Sequence, residues 1–308
     1  MKQTDISKQD IKGAIVEAIA FFDLFDRPLV LFDLWQSLKI KIPPGRLAEV
    51  LEEDDMPLEK SGPFYFLKGR RGISENIREQ AFLSERKEKI ARRLAKILRF
   101  VNGVRLVAVC NNFYYKKESD IDLFIIIKAG RMWLVRLAIT AMAQIMGLRR
   151  HGDKIADRVC LSFYITDKDL DLSKIVLREG DPYFYQWFRN LKPIYDDGVY
   201  RELYRKNKFF KDNLPNAFIG LPIRSEIKDS FTSLLFKKLN GFWFNGLLGD
   251  ALERAVKKIQ LKKMSYNQET AKDEDDTRVM ISDDILKFHE NDRREEFRRR
   301  LKEKIFNF

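Results

Sequence analysis

The 308-residue chain is poor in both cysteine and histidine, with two of each. Cys110 and Cys160 are too few for the disulfide framework of a small secreted domain, so a reducing, cytoplasmic setting is expected. His151 and His289 lie far apart, which argues against a histidine-rich metal site. No apolar run reaches the ~18 residues of a membrane span, and the opening MKQTDISKQD lacks the apolar core of a signal peptide. A membrane is therefore not among the expected partners. What the chain does have is 45% hydrophobic and 34% charged residues, the mix of a globular protein. Lysine and arginine total 58 against 46 aspartates and glutamates, a net charge of +12. That surplus suits a polyanion: nucleic acid, nucleotide phosphates or an anionic surface. The length allows roughly two domains at ~100–200 residues each.

Hydrophobic periodicity divides the chain further. Residues 11–25 carry Ile11, Ile15, Ala18, Ile19 and Phe22 at helical spacing. A short helix is expected over 30–39, and Pro43-Pro44 opens a third. Ser61-Gly62-Pro63 then marks a turn before the β-prone Phe64 to Leu67. Three helices and a hairpin give a winged-helix-like domain over 1–73. A long charged helix over 74–101 follows, with Ile77, Phe82, Ile90, Leu94, Ile97 and Leu98 as its packed face. Buried-strand runs at 104–110, 120–127 and 158–166, with an apolar helix at 131–148, define an α/β segment with a covered sheet. The whole is an α+β protein: the 1–73 domain, a domain over 74–212 built on a mixed sheet flanked by helices, and a helical region over 213–308. Within these, 176–211 is expected as aromatic-rich helix, 265–278 as a loop, and a last helix starts with Ser282 as N-cap.

Chemistry concentrates in Ser119-Asp120-Ile121-Asp122-Leu123. Side chains alternate along a strand, so Asp120 and Asp122 share one face while Ile121 and Leu123 take the core side. Two adjacent carboxylates at a strand mouth repel each other unless a cation lies between them, and Mg²⁺ prefers carboxylate oxygens, water and phosphates. A local cap at Asp122 and a plain loop end at Asp120 is the competing explanation.

On these residues, 102 to about 170 resembles the DNA polymerase β-like nucleotidyltransferase superfamily. Its pattern is a strand, a Gly-Ser turn, about ten residues, S-D-x-D-hydrophobic, a helix, and a third strand bearing a third carboxylate. The flanking segments are similar to bacterial and archaeal nucleotidyltransferases with a winged-helix-like N-terminal domain. The resemblance implies catalytic, metal-binding Asp120 and Asp122 holding one or two Mg²⁺. It implies a triphosphate held at Cys110, Asn111, Asn112 and Ser119, with Lys116, Lys117 and Lys128 neutralising phosphate. An NTP is then the substrate, and RNA or another polyanion a candidate acceptor. Two departures stand out. Val109-Cys110-Asn111-Asn112 replaces the Gly-Ser turn. RVCLSFYIT offers Cys160, Ser162 and Tyr164 on one face and no carboxylate, leaving Asp153 and Asp157 as candidates to reach in. A degenerate fold that binds nucleotide or nucleic acid as a regulator is the alternative.

Weaker signals have ordinary explanations beside functional ones. His151 suits an exposed loop. His289 either joins Asp292 and Arg293 at a substrate surface or covers the sheet. The aromatics from Tyr183 to Tyr204 stack bases or build a core. Phe242 to Phe244 with Leu247 and Leu248 is either buried or an exposed homodimer patch. Arg293 to Lys304 either grips a nucleic-acid backbone or forms a solvated helix. The helix after Pro44 is acidic beyond Arg46, which opposes DNA reading.

Overall fold

A computed structural model describes residues 6–53, 55–110, 113, 115–218, 226–265, 277–289 and 291–306, without the side chains of 242, 243 and 265. The first region runs α1 (Lys8–Asp23), β1 (Leu29–Val30), α2 (Leu31–Ser37), α3 (Pro44–Leu51), β2 (Leu58–Ser61) and β3 (Phe64–Leu67). Ser7 caps α1 by accepting from the Asp10 amide, and Pro44 occupies the first turn of α3. The three strands pair antiparallel in the order β1-β3-β2.

After α4 (Gly72–Glu75) comes the long α5 (Ile77–Leu98). Its buried residues, Leu83, Lys87, Ala91, Leu94, Ala95 and Leu98, make one stripe. Phe82 and Ile97, expected in the packed face, miss that stripe and are 65% and 41% exposed. A fully buried lysine, Lys87, takes a place in it instead.

The larger sheet draws on β4 (Val104–Val109), β5 (Ile121–Ile127), the crossover helix α6 (Met132–Ile145) and β6 (Val159–Thr166). The chain continues through α7 (Pro182–Arg189), β7 (Lys192–Asp196), α8 (Tyr200–Lys206) and α9 (Lys208–Asn213). It ends with α10 (Phe231–Asn245), α11 (Leu247–Ser265), β8 (Val279–Ile281), β9 (Ile285–Phe288) and α12 (Arg294–Phe306). Strand order is β7-β4-β5-β6-β9-β8. β5 and β6 are parallel, as a helical crossover requires, and the other pairs are antiparallel.

The sheet has two apolar faces. On one, Leu106, Ala108, Phe124, Ile126, Phe163 and Ile165 join a core that runs from Ile11 in α1 through α7 to Leu301 in α12. On the other, Val107, Val109, Leu123, Ile125 and Tyr164 pack against α5 and α6, with α11 alongside. The mixed α+β class is as expected. Three strands correct the expected helices: β7 interrupts 176–211, and β8 and β9 extend the sheet from 213–308. Ser282 caps no helix. It closes the β8–β9 turn, where its hydroxyl accepts from the amides of Asp284 and Ile285. A serine followed by two aspartates serves a turn as readily as a helix start. Residues 266–276 of the expected loop lie outside the described residues.

Candidate active site

Asp120 leads into β5, and Asp122 is its second residue. Phe124 and Ile126, of the same parity, belong to the α7–α12 side of the sheet. Both carboxylates accordingly open toward that side, above the apolar core. Directly across the parallel ladder, Asp122 pairs with Cys160. The register then shifts, setting Phe124 against Phe163, so Cys160 and Phe163 share the carboxylate face while Tyr164 turns to the opposite core. This corrects the simple alternation that grouped Cys160 with Tyr164. Ligand atoms of Asp120, Asp122 and Cys160 all lie within 4.8 Å of one another.

The third corner of the site is therefore a thiol. Burial, then the Asp122 carboxylate, pushes Cys160 up to about 12. The same two causes hold Cys110 well above the ordinary thiol range. Both are neutral thiols near pH 7. They flank β5 on opposite sides, about 10 Å apart at ~4.8 Å per strand, beyond disulfide reach. The Cys110 thiol is buried and its amide donates to the Asp122 carbonyl at 3.0 Å. Asn111 and Asn112 lie outside the described residues.

The loop entering β5 is held from beneath. Lys87 of α5 donates to the Ser119 carbonyl at 2.6 Å and to the Asp157 carboxylate at 3.1 Å. Asp157 adopts a left-handed φ of 57° and donates its amide to the same Ser119 carbonyl. An uncompensated ammonium there would carry a large desolvation cost, so this contact over-determines where Asp120 begins. Asp157 thus ties the loop to Lys87 and Arg86 and does not join the Asp120, Asp122 and Cys160 group. Asp153 and His151 are exposed in the 149–157 loop. The Ser119 hydroxyl donates to the Lys116 carbonyl and tightens the turn.

Of the three lysines, Lys116 and Lys117 flank this turn at the surface, Lys117 paired with Glu79 at 3.1 Å. Lys128 is removed from the site. It follows the far end of β5, eight residues from Asp120 and roughly 25 Å away at ~3.3 Å per residue, and bonds Asn245. The cation that does meet the carboxylates is Arg150, whose Nη1 lies 2.7 Å from Asp120 Oδ2. Sequence reasoning passed over it because loop arginines are common. Its position one turn beyond α6, on the crossover that returns to β6, is the signal that places it there.

Asp120 and Asp122 stand at one end of a cavity of about 480 Å³. Phe163, Phe184 and Trp187 form its aromatic wall, with Lys287, His289 and Arg294 beyond. Phe184 and Trp187 stack with centroids 5.1 Å apart. The aromatic run of α7 thus builds core and cavity wall together. β9 brings His289 over Phe163, edge to face at 6.0 Å, with Nε2 3.4 Å from the Ser162 hydroxyl. Its buried Nδ1 has no hydrogen-bond partner. Burial, then the Lys287 charge, lowers His289 to about 4, so the ring is neutral near pH 7.

This neutrality has a measurable consequence. A histidine whose folded pKa falls below its unfolded value of 6.5 contributes stability above pH 6.5, lost as pH drops toward 4. A shift of this size corresponds to roughly 2–4 kcal/mol at ~1.4 per pH unit. Urea denaturation of wild type and His289→Gln at pH 7 and pH 4.5 is expected to show a steeper acid loss in wild type. Identical losses would contradict a neutral ring at His289.

The donor set fits a divalent cation at two of its three corners: two carboxylates supply hard oxygen ligands, and sulfur stands at the third. Comparison of the chain with protein-family models, curated proteins and solved structures finds no match.

Proposed function

We propose that the chain is a metal-dependent nucleotidyltransferase, moving a nucleoside monophosphate from an NTP to a hydroxyl acceptor. The observation that carries this is the convergence of Asp120 and Asp122 at the start of β5, beside the parallel β6, on the mouth of a cavity of nucleotide size. In this reading Asp120 and Asp122 hold one or two Mg²⁺, which supply positive charge opposite the phosphates as charge builds on the leaving oxygen. Lys87 and Asp157 fix the loop so that both carboxylates stay aimed at the cavity. Arg150 exchanges its contact with Asp120 for a phosphate oxygen. Lys116 and Lys117 add charge at the rim. The aromatic wall takes a planar ring, with His289 beside it. The acceptor oxygen bonds to the α-phosphorus, the bond to the β-phosphate bridge breaks, and pyrophosphate leaves while the hydroxyl proton passes to solvent.

The order of α1, β1, α2, α3, β2 and β3, with β3 between the other two strands, supports the winged-helix-like reading of the first region. A second reading rests on one specific pair of facts: Arg150 already neutralises Asp120, and a thiol stands where a third carboxylate belongs. Under it, the fold binds nucleotide without turnover. Pyrophosphate release from each NTP with Mg²⁺, against RNA ends, protein hydroxyls and small-molecule acceptors, separates the two. Release above a no-enzyme control with at least one acceptor is the expected result. Tight NTP binding with no release across the panel favours the binder.

A further inference from the structure

The α10–α11 hairpin exposes a row of apolar side chains on each helix. Phe231, Leu235 and Leu239 follow one another at four-residue steps along α10, and Phe231 is 80% exposed. On α11, Leu248, Leu252 and Ile259 share a stripe and are each at least half exposed. Apolar side chains exposed in such rows mark an interaction surface.

The charges say what kind. Lys228, Lys238, Arg254, Lys258, Lys262 and Lys263 are exposed, and every exposed charged residue among the described residues from 226 to 264 is one of these cations. Three of the four acids bond to neighbouring groups, although the Asp250 side chain stays 46% exposed. Asp229 binds Lys237 and Tyr195, Asp250 binds Arg131, and Glu253 accepts from the amides of Trp133 and Leu134. Among the described residues, a second copy of the chain docked here would set mostly cations against cations. Apolar side chains rimmed, among the described residues, mainly by lysine and arginine match an anionic phospholipid surface, where the chains enter the acyl boundary and the cations meet phosphates.

We infer that the α10–α11 hairpin docks the protein onto an anionic bilayer surface. The hairpin lies flat in the interface and does not cross it, in keeping with the absence, among the described residues, of any helix long and apolar enough to span. Phe244 and α11 anchor it to the α5–α6 side of the sheet, whereas the cavity opens on the α7–α12 side. A docked protein therefore keeps its cavity facing solution. The expectation of no membrane partner considered spanning segments only.

Co-sedimentation of the full chain with phosphatidylcholine vesicles, with and without 30% phosphatidylglycerol, tests this. Binding to the anionic vesicles is expected to exceed that to neutral ones at least tenfold and to fall in 0.5 M NaCl. Leu239→Asp/Leu252→Asp and, separately, Lys238→Glu/Lys258→Glu should each reduce it at least tenfold. These residues are exposed, so the fold, checked by circular dichroism, is retained. No association with anionic vesicles overturns the inference. So does equal binding by both double variants, or light scattering that shows a dimer which Leu239→Asp/Leu252→Asp converts to monomer.

Discussion

Asp120→Asn/Asp122→Asn is expected to lose Mg²⁺-dependent NTP binding by at least ~100-fold, about 2.7 kcal/mol, in calorimetry. Two facing carboxylates one ladder rung from Cys160 are the only hard-ligand cluster of this kind among the described residues. Removing both charges leaves a thiol, a poor partner for Mg²⁺. The same titrations read the third corner. Cys160→Asp supplies the missing hard ligand opposite Asp122 and is expected to tighten Mg²⁺ binding about tenfold, while Cys160→Ser changes it little. Wild-type affinity in the double asparagine variant would remove the metal site from this strand mouth. Unchanged affinity in Cys160→Asp would show that the third corner takes no part.

The largest effect on stability is expected at Arg294. It is 5% exposed, and its guanidinium ties together segments distant in sequence. It bonds Asp181 at 2.8 Å and the Ile175 carbonyl at 2.6 Å ahead of α7, Thr277 ahead of β8, and Asp292 at the start of its own helix. Burial favours the neutral form of Asp292, but hydrogen bonds from Arg294 and Lys287 overcome it and hold the carboxyl down to about 2. At Asp181 burial wins over Arg294, and its pKa rises. Replacing Arg294 with alanine leaves Asp181 with only the Phe184 and Leu177 amides and Asp292 with only the Lys287 side chain among these partners, and loss of a buried ion-pair partner typically costs ~3–5 kcal/mol. Urea unfolding should show that loss, with less than ~0.5 kcal/mol for Arg299→Ala, whose side chain is 73% exposed. A loss below ~1 kcal/mol for Arg294→Ala would mean that water or rearrangement replaces the network. Because Arg294 fastens β9 and α12 over the cavity, nucleotide binding should weaken in the same variant.

Arg294 also shows what the charged tail does. Read as a sequence, Arg293 to Lys304 looks like a grip for nucleic acid. In the fold Arg293 pairs with Glu296, Arg298 with Glu179, Arg299 with Glu303, Arg300 with Glu296 and Lys304 with Asp23, while Arg294 is interior. Arg294, Arg298 and Lys304 hold α12 against α1 and the segment leading into α7, while Arg293, Arg299 and Arg300 pair with acids of α12 itself. At the hairpin the outcome is the reverse. Leu247 and Leu248, placed between a buried patch and an exposed one, are 88% and 54% exposed. The side chains of Phe242 and Trp243 lie outside the described residues.

Local pattern alone determined much of the protein. Unbroken β-branched and aromatic runs made β4, β5 and β6 legible, because a strand covered on both faces needs no polar alternation. Period-two geometry placed Asp120 and Asp122 on one face, and helical spacing located α1, α5 and α6. Tertiary structure decided what depends on residues far apart in the chain. The β5–β6 register shift, a property of two strands together, chose Cys160 over Ser162 and Tyr164 for the third corner. Lys87 reaches the Asp120 loop from α5 and no spacing within the sequence announces it, while Arg150 is marked only by its place on the α6–β6 crossover. β7, β8 and β9 are short strands that gain their stability from neighbours already in place, so their own residues carry little signal. The exposure of α10 and α11 was undecidable from periodicity, since an apolar stripe looks the same whether the fold covers it or leaves it for a partner.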